Sequence, residues 1–287
     1  MSNKHLESYI NLEAWAGVST PNWVSTNKAT LTDSPNINEE LWRKQTTSLL
    51  KELFIKLNIA INPHSFIEIG AHEGSISLDL KKIGVKNIFA IEANPYVFDE
   101  HRERLEANGI QYLNFAISSS NSPVQMNIPK FSETLARPDS SLLKRTAGAE
   151  YEEIYVESKS LSTFIEEKSL SHLSLWIDTE GLSLQILESA KIFINQVQLL
   201  HVEVEDIGYW QNQSFVTDVF EFCYNNGFLA IARDMDGRGQ FNVIFIRDNH
   251  IKNIGGLISD YWKNISSLKT SFEKNRKKSF FARLRGN

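Results

Sequence analysis

The most constraining feature of this sequence is a series of short apolar runs that each end near an acidic residue. The clearest runs are Ser65–Ile69, Asn87–Glu92 and Leu173–Asp178. Segments with apolar residues at helical spacing separate them, and this alternation predicts a parallel sheet with right-handed crossovers. Because ligands of such sheets bind at the carboxyl ends of the strands, we expect the acidic residues to meet in one crevice.

Between residues 62 and 249 the pattern predicts an α/β domain with a mostly parallel sheet. Helices are expected at Ser75–Ile83, Val97–Asn108, Ser160–Lys168, Leu182–Ile194 and Phe215–Asn226, and strands at Ser65–Ile69, Asn87–Glu92, Gln111–Ile117, Leu173–Asp178, Gln198–Glu203, Phe228–Arg233 and Phe241–Arg247. The turn from Asp234 to Gly239 predicts a final hairpin, so that an antiparallel strand ends the sheet. Pro123–Ile128 and Glu153–Ser158 are expected to pair as a hairpin-like excursion, with a loop over the crevice between them.

Two segments flank this domain. Residues 1–61 form an N-terminal extension with a helix predicted at Glu39–Leu57, and Trp15 and Trp23 are expected to pack on the domain or on a partner. Residues 250–287 form a helical tail in which Lys269–Arg285 carries seven basic residues and one acidic residue. We interpret that stretch as a solvated or frayed terminal helix, with an amphipathic helix on a membrane surface or a partner as the alternative.

Composition and charge restrict the class of protein. The net charge of −5 argues against a broad nucleic-acid surface, which needs an excess of basic residues. No run approaches the ~20 apolar residues of a membrane-spanning helix, and the start of the chain does not resemble a signal peptide, so a cytoplasmic location is expected. Cys223 is the single cysteine, which excludes a disulfide scaffold, and it is predicted to be a small buried hydrophobe.

A glycine-containing turn follows the first strand and reads Glu-Ile-Gly-Ala-His-Glu-Gly from Glu68 to Gly74. Glycine allows a tight turn and lets a ligand approach the backbone, and the N-terminus of the next helix then faces that ligand. Such a turn also occurs without a ligand. Glu92 ends the next strand and is suited to accept hydrogen bonds from both hydroxyls of a ribose, with a helix-capping carboxylate as the alternative.

A third acidic segment, Asp178-Thr179-Glu180-Gly181, ends the fourth strand. The fifth strand repeats the pattern with Glu203, Glu205 and Asp206. One of these acids could be a structural partner of an arginine. Burying many unpaired charges is costly, however, so the set as a whole indicates a functional crevice.

Three of these motifs together resemble the FkbM family of methyltransferases. They are Glu-Ile-Gly-Ala-His-Glu-Gly at 68–74, Ile-Glu-Ala-Asn-Pro at 91–95 and Trp-Ile-Asp-Thr-Glu-Gly-Leu-Ser-Leu-Gln-Ile-Leu at 176–187. Ser140-Ser141-Leu142 also looks like the serine pair of that family. The resemblance extends from about Ser65 to Arg247. It implies a Rossmann-like class I methyltransferase fold with seven strands, S-adenosylmethionine as methyl donor and a hydroxyl oxygen of a sugar, glycan or secondary metabolite as acceptor.

The resemblance also implies roles around the cofactor: the glycine turn would hold the methionine end, Glu92 the ribose, and the residues after the third strand the adenine. The candidate cofactor-binding residues are Glu68, Gly70, Ala71, His72, Gly74, Glu92, Ala93, Ala116, Ile117, Ser141 and Asp178. The sequence departs from the usual family pattern at Glu68, where aspartate is common, and at His72, where asparagine is frequent.

Three carboxylates are candidates for the chemistry itself. A sugar hydroxyl is a poor nucleophile until its proton leaves, and a positioned base contributes roughly 10²–10⁴-fold. Asp178 is the first candidate for this base or for orienting the acceptor, followed by Glu180 and Glu203, and contact of Asp178 with the methionine amino group is the alternative. A divalent metal on these oxygens would also acidify a hydroxyl, but the spacing is not diagnostic and no metal is expected.

Two other classes of function compete with this interpretation. A nicotinamide-dependent oxidoreductase would share the glycine turn and the acidic second strand, but it normally carries G-x-G-x-x-G, and this turn does not. A binding module that kept the fold and lost catalysis is the second alternative. The expected partner is a small-molecule or glycan acceptor, and Tyr209 and Trp210 are either stacking residues for it or core residues.

Overall fold

The computed structural model of the protein describes residues 37–130, 139–234 and 239–285, with side chains only between residues 40 and 274 of these ranges. Trp15, Trp23 and residues 235–238 of the last hairpin turn therefore lie outside the described residues, as do the side chains in the second half of the basic tail.

A seven-stranded sheet is the middle layer of the fold. Its strands are β1 (Ser65–Ile69), β2 (Asn87–Glu92), β3 (Gln111–Asn114), β8 (Leu173–Ile177), β9 (Val197–Glu205), β10 (Phe228–Arg233) and β11 (Gln240–Arg247). They follow the order β10-β11-β9-β8-β1-β2-β3, and neighbours are parallel except that β11 is antiparallel to both β9 and β10. This arrangement confirms the predicted α/β fold class, with the antiparallel strand inserted next to the edge strand.

Helices cover both faces of the sheet. One face carries α1 (Ile37–Ile61), α2 (Ser75–Lys82), α3 (Pro95–Ala107) and α7 (Ile251–Arg285), and the other carries α4 (Leu161–Glu167), α5 (Ser183–Ser189) and α6 (Val216–Asn225). Successive residues of β1 point to opposite faces, so Phe66 packs in one hydrophobic cluster and Ile67 in the other. Burial on both faces explains why the strands are continuous apolar runs.

The predicted third strand, Gln111–Ile117, is wrong as a continuous element. Its first half is β3, whereas β4 (Ala116–Ile117) leaves the sheet and pairs with β7 (Ser158–Lys159). The division follows Asn114, because its side-chain amide donates to the backbone oxygens of Glu92 (2.8 Å) and Ala93 (3.3 Å).

The predicted helix Leu182–Ile194 is also divided. The α-helix α5 ends at Ser189, and a 3-10 helix, Lys191–Gln196, follows it. The Ser189 carbonyl at the end of α5 accepts the Ser162 hydroxyl (2.5 Å), and the Ser189 hydroxyl accepts the Leu161 N–H (3.0 Å). These bonds to α4 fix where the regular helix stops.

The expected hairpin-like excursion is present beside the sheet. Strand β5 (Val124–Pro129) pairs antiparallel with β6 (Tyr151–Val156). Asn127 of β5 in turn exchanges backbone hydrogen bonds with Ser141, at 2.8 and 3.1 Å. The segment that carries the predicted serine pair is thereby anchored at the carboxyl end of the sheet.

The two flanking helices, α1 and α7, pack together and on the sheet. Trp42 of α1 meets Phe272 of α7 edge to face, with ring centroids 5.5 Å apart. Tyr261 and Ile265 of α7 are buried in the same hydrophobic cluster as Phe66 of the sheet. Among the described helices, none combines the length and apolarity needed to cross a bilayer.

Candidate active site

The turn after β1 brings three strand ends together. The N–H groups of Gly70 and Ala71 both donate to the Ile91 carbonyl at 3.0 Å, and the Asp178 N–H donates to the Ile69 carbonyl at 3.0 Å. Gly70 has φ of 77°, and a Cβ atom there would lie 1.9 Å from the Asp178 carbonyl oxygen. Only glycine allows this approach, which sets the ends of β1, β2 and β8 side by side.

Glu92 clamps the glycine turn to the end of β2. Its Oε2 accepts the His72 N–H (2.9 Å) and its Oε1 accepts the Asn94 N–H (2.8 Å). Helix capping belongs to Asn94, whose Oδ1 accepts the Tyr96 N–H at the start of α3. Burial raises the pKa of Glu92, although these backbone hydrogen bonds favour its charged form.

A first cavity, the inner cavity, is lined by Glu92, Asp178 and Glu180 and by a set of apolar side chains that we call the apolar wall. The apolar wall consists of Phe115, Ile117, Met126, Leu142, Leu182 and Ile186. The predicted cofactor-binding residues Gly70, Ala93, Ala116 and Ser141 also line it. Its volume is about 60 Å³.

The serine pair holds the loop segment over the inner cavity. The Ser141 hydroxyl donates to the Glu180 backbone oxygen (2.7 Å), and the Ser140 hydroxyl accepts the Asn94 side-chain amide (3.0 Å). One serine is thus tied to the end of β8 and the other to the end of β2.

A second cavity, the middle cavity, has a volume of about 290 Å³ and shares Gly70, Asp178 and Glu180 with the inner one. Of these two cavities, only the middle one is lined by Glu68, Ala71 and His72. The predicted single crevice is therefore two adjoining cavities, with Glu92 on one and Glu68 on the other. Asp178 borders both.

Glu68 is tied to the helix that follows the turn. Its Oε2 accepts the Ser77 N–H (3.1 Å) and also the Ser77 hydroxyl. Burial raises the pKa of Glu68 to about 8, against the effect of these hydrogen bonds. Gly74 opens α2 with φ of 64°, and a Cβ there would lie 2.7 Å from Leu105 of α3. This glycine is thus required for helix packing, and its contact with a cofactor stays a prediction.

Asp178, Glu180 and Glu203, which we call the acidic cluster, meet at the strand ends. The side chains of Trp176 and Glu203 lie close enough to Asp178 to influence its pKa. Although Asp178 keeps exposed surface in the cleft, desolvation of its carboxyl raises its pKa to about 6. Burial, with the neighbouring negative charge of Asp178, raises the pKa of Glu180 to about 7 and that of Glu203 well above its ordinary value.

Gly181 fixes the segment that carries the acidic cluster. Its N–H donates to Glu205 Oε1 (3.0 Å), its φ is 80°, and a Cβ there would lie 2.9 Å from Trp210 Cδ1. Trp210 is buried, and the Arg145 guanidinium lies 4.8 Å from its ring centroid. Trp210 is therefore a core residue here, and Glu205 accepts a backbone hydrogen bond from Gly181.

Several residues of the site were missed by the sequence reasoning. They are Ser77, Asn94, Thr179, Asp234 and Gln240. Asn94 had a readable signal, because Asn before Pro95 at a helix start is a typical cap. Thr179 lies within the predicted acidic segment, whereas Asp234 and Gln240 reach the site from a distant part of the chain and gave no signal. Within the described residues, no group of three or more His, Cys, Asp or Glu side chains has a geometry that could hold a metal ion.

Comparison with known proteins gives one strong match. Residues 68–230, more than half of the chain, match the model of the methyltransferase FkbM domain. No curated protein matches significantly.

Solved structures show weaker similarity. A magnesium protoporphyrin IX methyltransferase from Synechocystis PCC 6803 with bound SAM is 7% identical, with a TM-score of 0.41, over 77% of this chain and 88% of that one. The ribosomal protein L11 methylase of Lactobacillus delbrueckii subsp. bulgaricus is 12% identical, with a TM-score of 0.39, over 75% and 89%. A protein of the NADB-Rossmann superfamily from Streptococcus agalactiae is 13% identical, with a TM-score of 0.36, over 67% of each chain.

Proposed function

The chain belongs to the methyltransferase FkbM domain family, and from this premise we propose that it transfers a methyl group from S-adenosylmethionine to a hydroxyl oxygen of a sugar, glycan or secondary metabolite. The observation that carries the proposal is the inner cavity, where Glu92, Asp178 and the apolar wall surround the same space as Gly70, a position with no room for a side chain. Family membership supports S-adenosylmethionine-dependent methyl transfer, whereas the hydroxyl acceptor is our inference.

The residues present fit the cofactor in chemical character. The apolar wall suits an adenine, the carboxylate of Glu92 suits ribose hydroxyls, and the acidic cluster suits the positive charges of the sulfonium and amino groups. The inner cavity is smaller than the ~300–1,000 Å³ of typical ligand sites. Because the adjoining middle cavity adds about 290 Å³, we expect the cofactor to use both.

We expect the predicted cofactor contacts to be divided between the inner and the middle cavity. Ala93, Ala116 and Ile117 would flank the adenine and ribose in the inner cavity. Ala71, His72 and Glu68 would surround the amino-acid end in the middle cavity. Asp178 lines both cavities, which supports a role for it near the reacting groups.

The acidic cluster supplies the groups that take the acceptor proton. S-adenosylmethionine supplies a methyl carbon on a positively charged sulfur, and transfer leaves neutral S-adenosylhomocysteine. The pKa values of Asp178 and Glu203 are both raised, because each carboxyl is desolvated and the negative charge of Asp178 lies close to Glu203. One of these two carboxylates would accept the proton of the acceptor hydroxyl when the methyl group is transferred, with Glu180 as the neighbouring carboxylate.

Calorimetry and methyl transfer on one set of variants test the proposal. The full chain should bind S-adenosylmethionine, Glu92→Gln should weaken that binding at least about tenfold, and Asp178→Asn should keep it. Asp178→Asn should lower the transfer of labelled methyl groups to a panel of hydroxylated sugars by roughly 10²–10⁴-fold, the contribution of a positioned base. Thermal melting of each variant checks that it is folded.

Each outcome separates one alternative. Equal binding by the parent and Glu92→Gln would remove the ribose assignment, and full turnover by Asp178→Asn would remove the base assignment. Binding without turnover on any acceptor would favour a silent binding module. Binding of NADH in place of S-adenosylmethionine would favour the oxidoreductase.

A further inference from the structure

A third cavity, the outer cavity, lies between α1 and the carboxyl end of the sheet. Its volume is about 680 Å³, within the ~300–1,000 Å³ range of small-molecule sites. Glu203, Asp234 and Gln240 line its sheet side. Its other wall belongs to α1, which precedes the family-matched residues 68–230.

Helix α1 presents a polar stripe to this cavity and an apolar face to the core. The stripe consists of Glu40, Arg43, Lys44, Thr47, Ser48 and Lys51. At 1.5 Å per residue it extends about 16 Å, and the opposite face buries Trp42, Leu50 and Phe54. The Thr47 hydroxyl donates to Asp234 Oδ2 (2.9 Å), which fixes the helix against the strand ends.

The wall formed by α1 is basic. The described lining residues of this helix include three basic side chains, Arg43, Lys44 and Lys51, and one acidic side chain, Glu40. Lys44 pairs with Glu40 (2.7 Å) and Lys51 with Asp79 (2.9 Å), and both pairs are solvent-accessible. Accessible ion pairs contribute only about 0–1 kcal/mol, so an anionic ligand can compete for these ammonium groups.

The floor of the outer cavity includes the half-buried carboxyl of Glu203. Its Oε2 is enclosed and has no hydrogen-bond partner. Burial raises the pKa of Glu203, which weakens the repulsion that its carboxyl exerts on an anion. The Asp234 oxygens, in contrast, are satisfied by Asn242 and Thr47.

We propose that the outer cavity is the acceptor site and that it binds a hydroxylated small molecule with a phosphate or carboxylate group. The anion lies against Arg43, Lys44 and Lys51, and a hydroxyl of the same molecule donates to Glu203, beside Asp178. This inference rests on the proposed methyl transfer. It assigns acceptor specificity to a helix outside the family-matched segment.

Ligand binding to the full chain saturated with S-adenosylhomocysteine tests this acceptor class. D-glucose 6-phosphate, D-glucuronate and neutral D-glucose are titrated at constant ionic strength by calorimetry. At least one anion should bind about tenfold more tightly than glucose, and the difference between the two anions distinguishes phosphate from carboxylate. If neither anion exceeds glucose, the proposal is wrong.

Matched lysine variants test the location. Lys44→Gln and Arg43→Gln should each weaken binding of the anion about five- to tenfold. Lys56→Gln is the control, because Lys56 also pairs with a glutamate four residues earlier on α1 (2.7 Å) but lies beside α7, and it should change binding less than about twofold. Equal losses at Lys44 and Lys56 would overturn the assignment. Failure to bind S-adenosylhomocysteine would instead count against the proposed function itself.

Discussion

Two glycines decide where the carboxylates of the site lie. Gly70 lets the turn after β1 touch the backbone of Asp178, and Gly181 packs its Cα against Trp210 while its N–H binds Glu205. Both glycines have positive φ, 77° and 80°, where a side chain is strained. The positions of Asp178 and Glu180 therefore depend on neighbours that carry no side chain.

The carboxyl groups of the site all have raised pKa values, and the main cause is the same for each. Burial dominates at Glu68, Asp178, Glu180 and Glu203, and nearby negative charge adds to it. Groups of this kind are costly when charged, and perturbed pKa values gather at functional sites. A cationic ligand would lower these pKa values, which is the physical reason to expect a sulfonium beside them.

Replacement of one of these groups should alter stability in a pH-dependent manner. The pKa of Glu68 is about 8 in the folded chain and 4.5 in the unfolded chain. As pH rises, the unfolded chain therefore loses the Glu68 proton at lower pH than the folded chain does. The free energy of unfolding consequently falls between pH 4.5 and pH 8. Glu68→Gln cannot ionise. We expect it to be more stable than the parent at pH 8.5, on the order of 2–4 kcal/mol given about 1.4 kcal/mol per pKa unit, and similar at pH 5.

Urea denaturation at the two pH values measures this difference. Glu166→Gln, on the exposed side of α4, is the control. Its free energy of unfolding should differ from that of the parent by the same amount at both pH values. A constant difference between the parent and Glu68→Gln from pH 5 to 8.5 would show that Glu68 titrates normally.

At the scale of elements, α1 and α7 complete the core of one sheet face. Phe54 of α1 packs edge to face on Trp176 of β8 with centroids 5.1 Å apart. From α7, the Trp262 indole donates to the Ile231 carbonyl of β10 (3.1 Å). The helices outside the family-matched segment therefore cover strands inside it.

A substitution in α7 should report this coupling. Ile265 is fully buried between α7 and the sheet cluster, so Ile265→Ala should lower the free energy of unfolding by about 2–4 kcal/mol through lost burial and the cavity it leaves. Chemical denaturation of the full chain measures the loss. Ser267→Ala on the exposed side of α7 should change it by less than about 0.5 kcal/mol, and an equally small effect at Ile265 would mean that the helix is only loosely attached.

At the scale of the whole molecule, three cavities lie along the carboxyl ends of the strands. The inner and middle cavities share Asp178. The outer cavity is lined by Glu203, whose carboxyl influences the pKa of Asp178. If the proposed function is correct, donor and acceptor have separate sites on either side of Asp178 and Glu203. Such a division requires both the family-matched sheet and the α1 wall.

The segment that the sequence marks as the domain should not fold by itself. A fragment of residues 62–249 lacks Trp42, Leu50 and Phe54 from one side of the sheet and Ile265 from α7. We expect it to be insoluble or to melt without a cooperative transition, in contrast to the full chain, because a large apolar face would be exposed. Circular dichroism melting of both proteins measures this. A cooperative transition of the fragment near that of the full chain would show that the flanking helices are dispensable.

The sequence by itself determined the strand-and-helix alternation, the glycine turn, and the acidic ends of β1, β2, β8 and β9, because these depend on local periodicity and on residues close along the chain. It also carried the family resemblance, since the motifs are contiguous. It placed the third strand wrongly, because the Asn114 side chain pairs with the backbone of another strand end.

Only the tertiary structure decided how the strand ends divide into three cavities and which helices close them. Trp210 meets Gly181, Thr47 meets Asp234, and Phe54 meets Trp176 across long sequence separations. No periodicity encodes such contacts, because they depend on how the packed layers bring distant side chains together. For the same reason the polar stripe of α1 forms the wall of a cavity only because the helix lies across the strand ends.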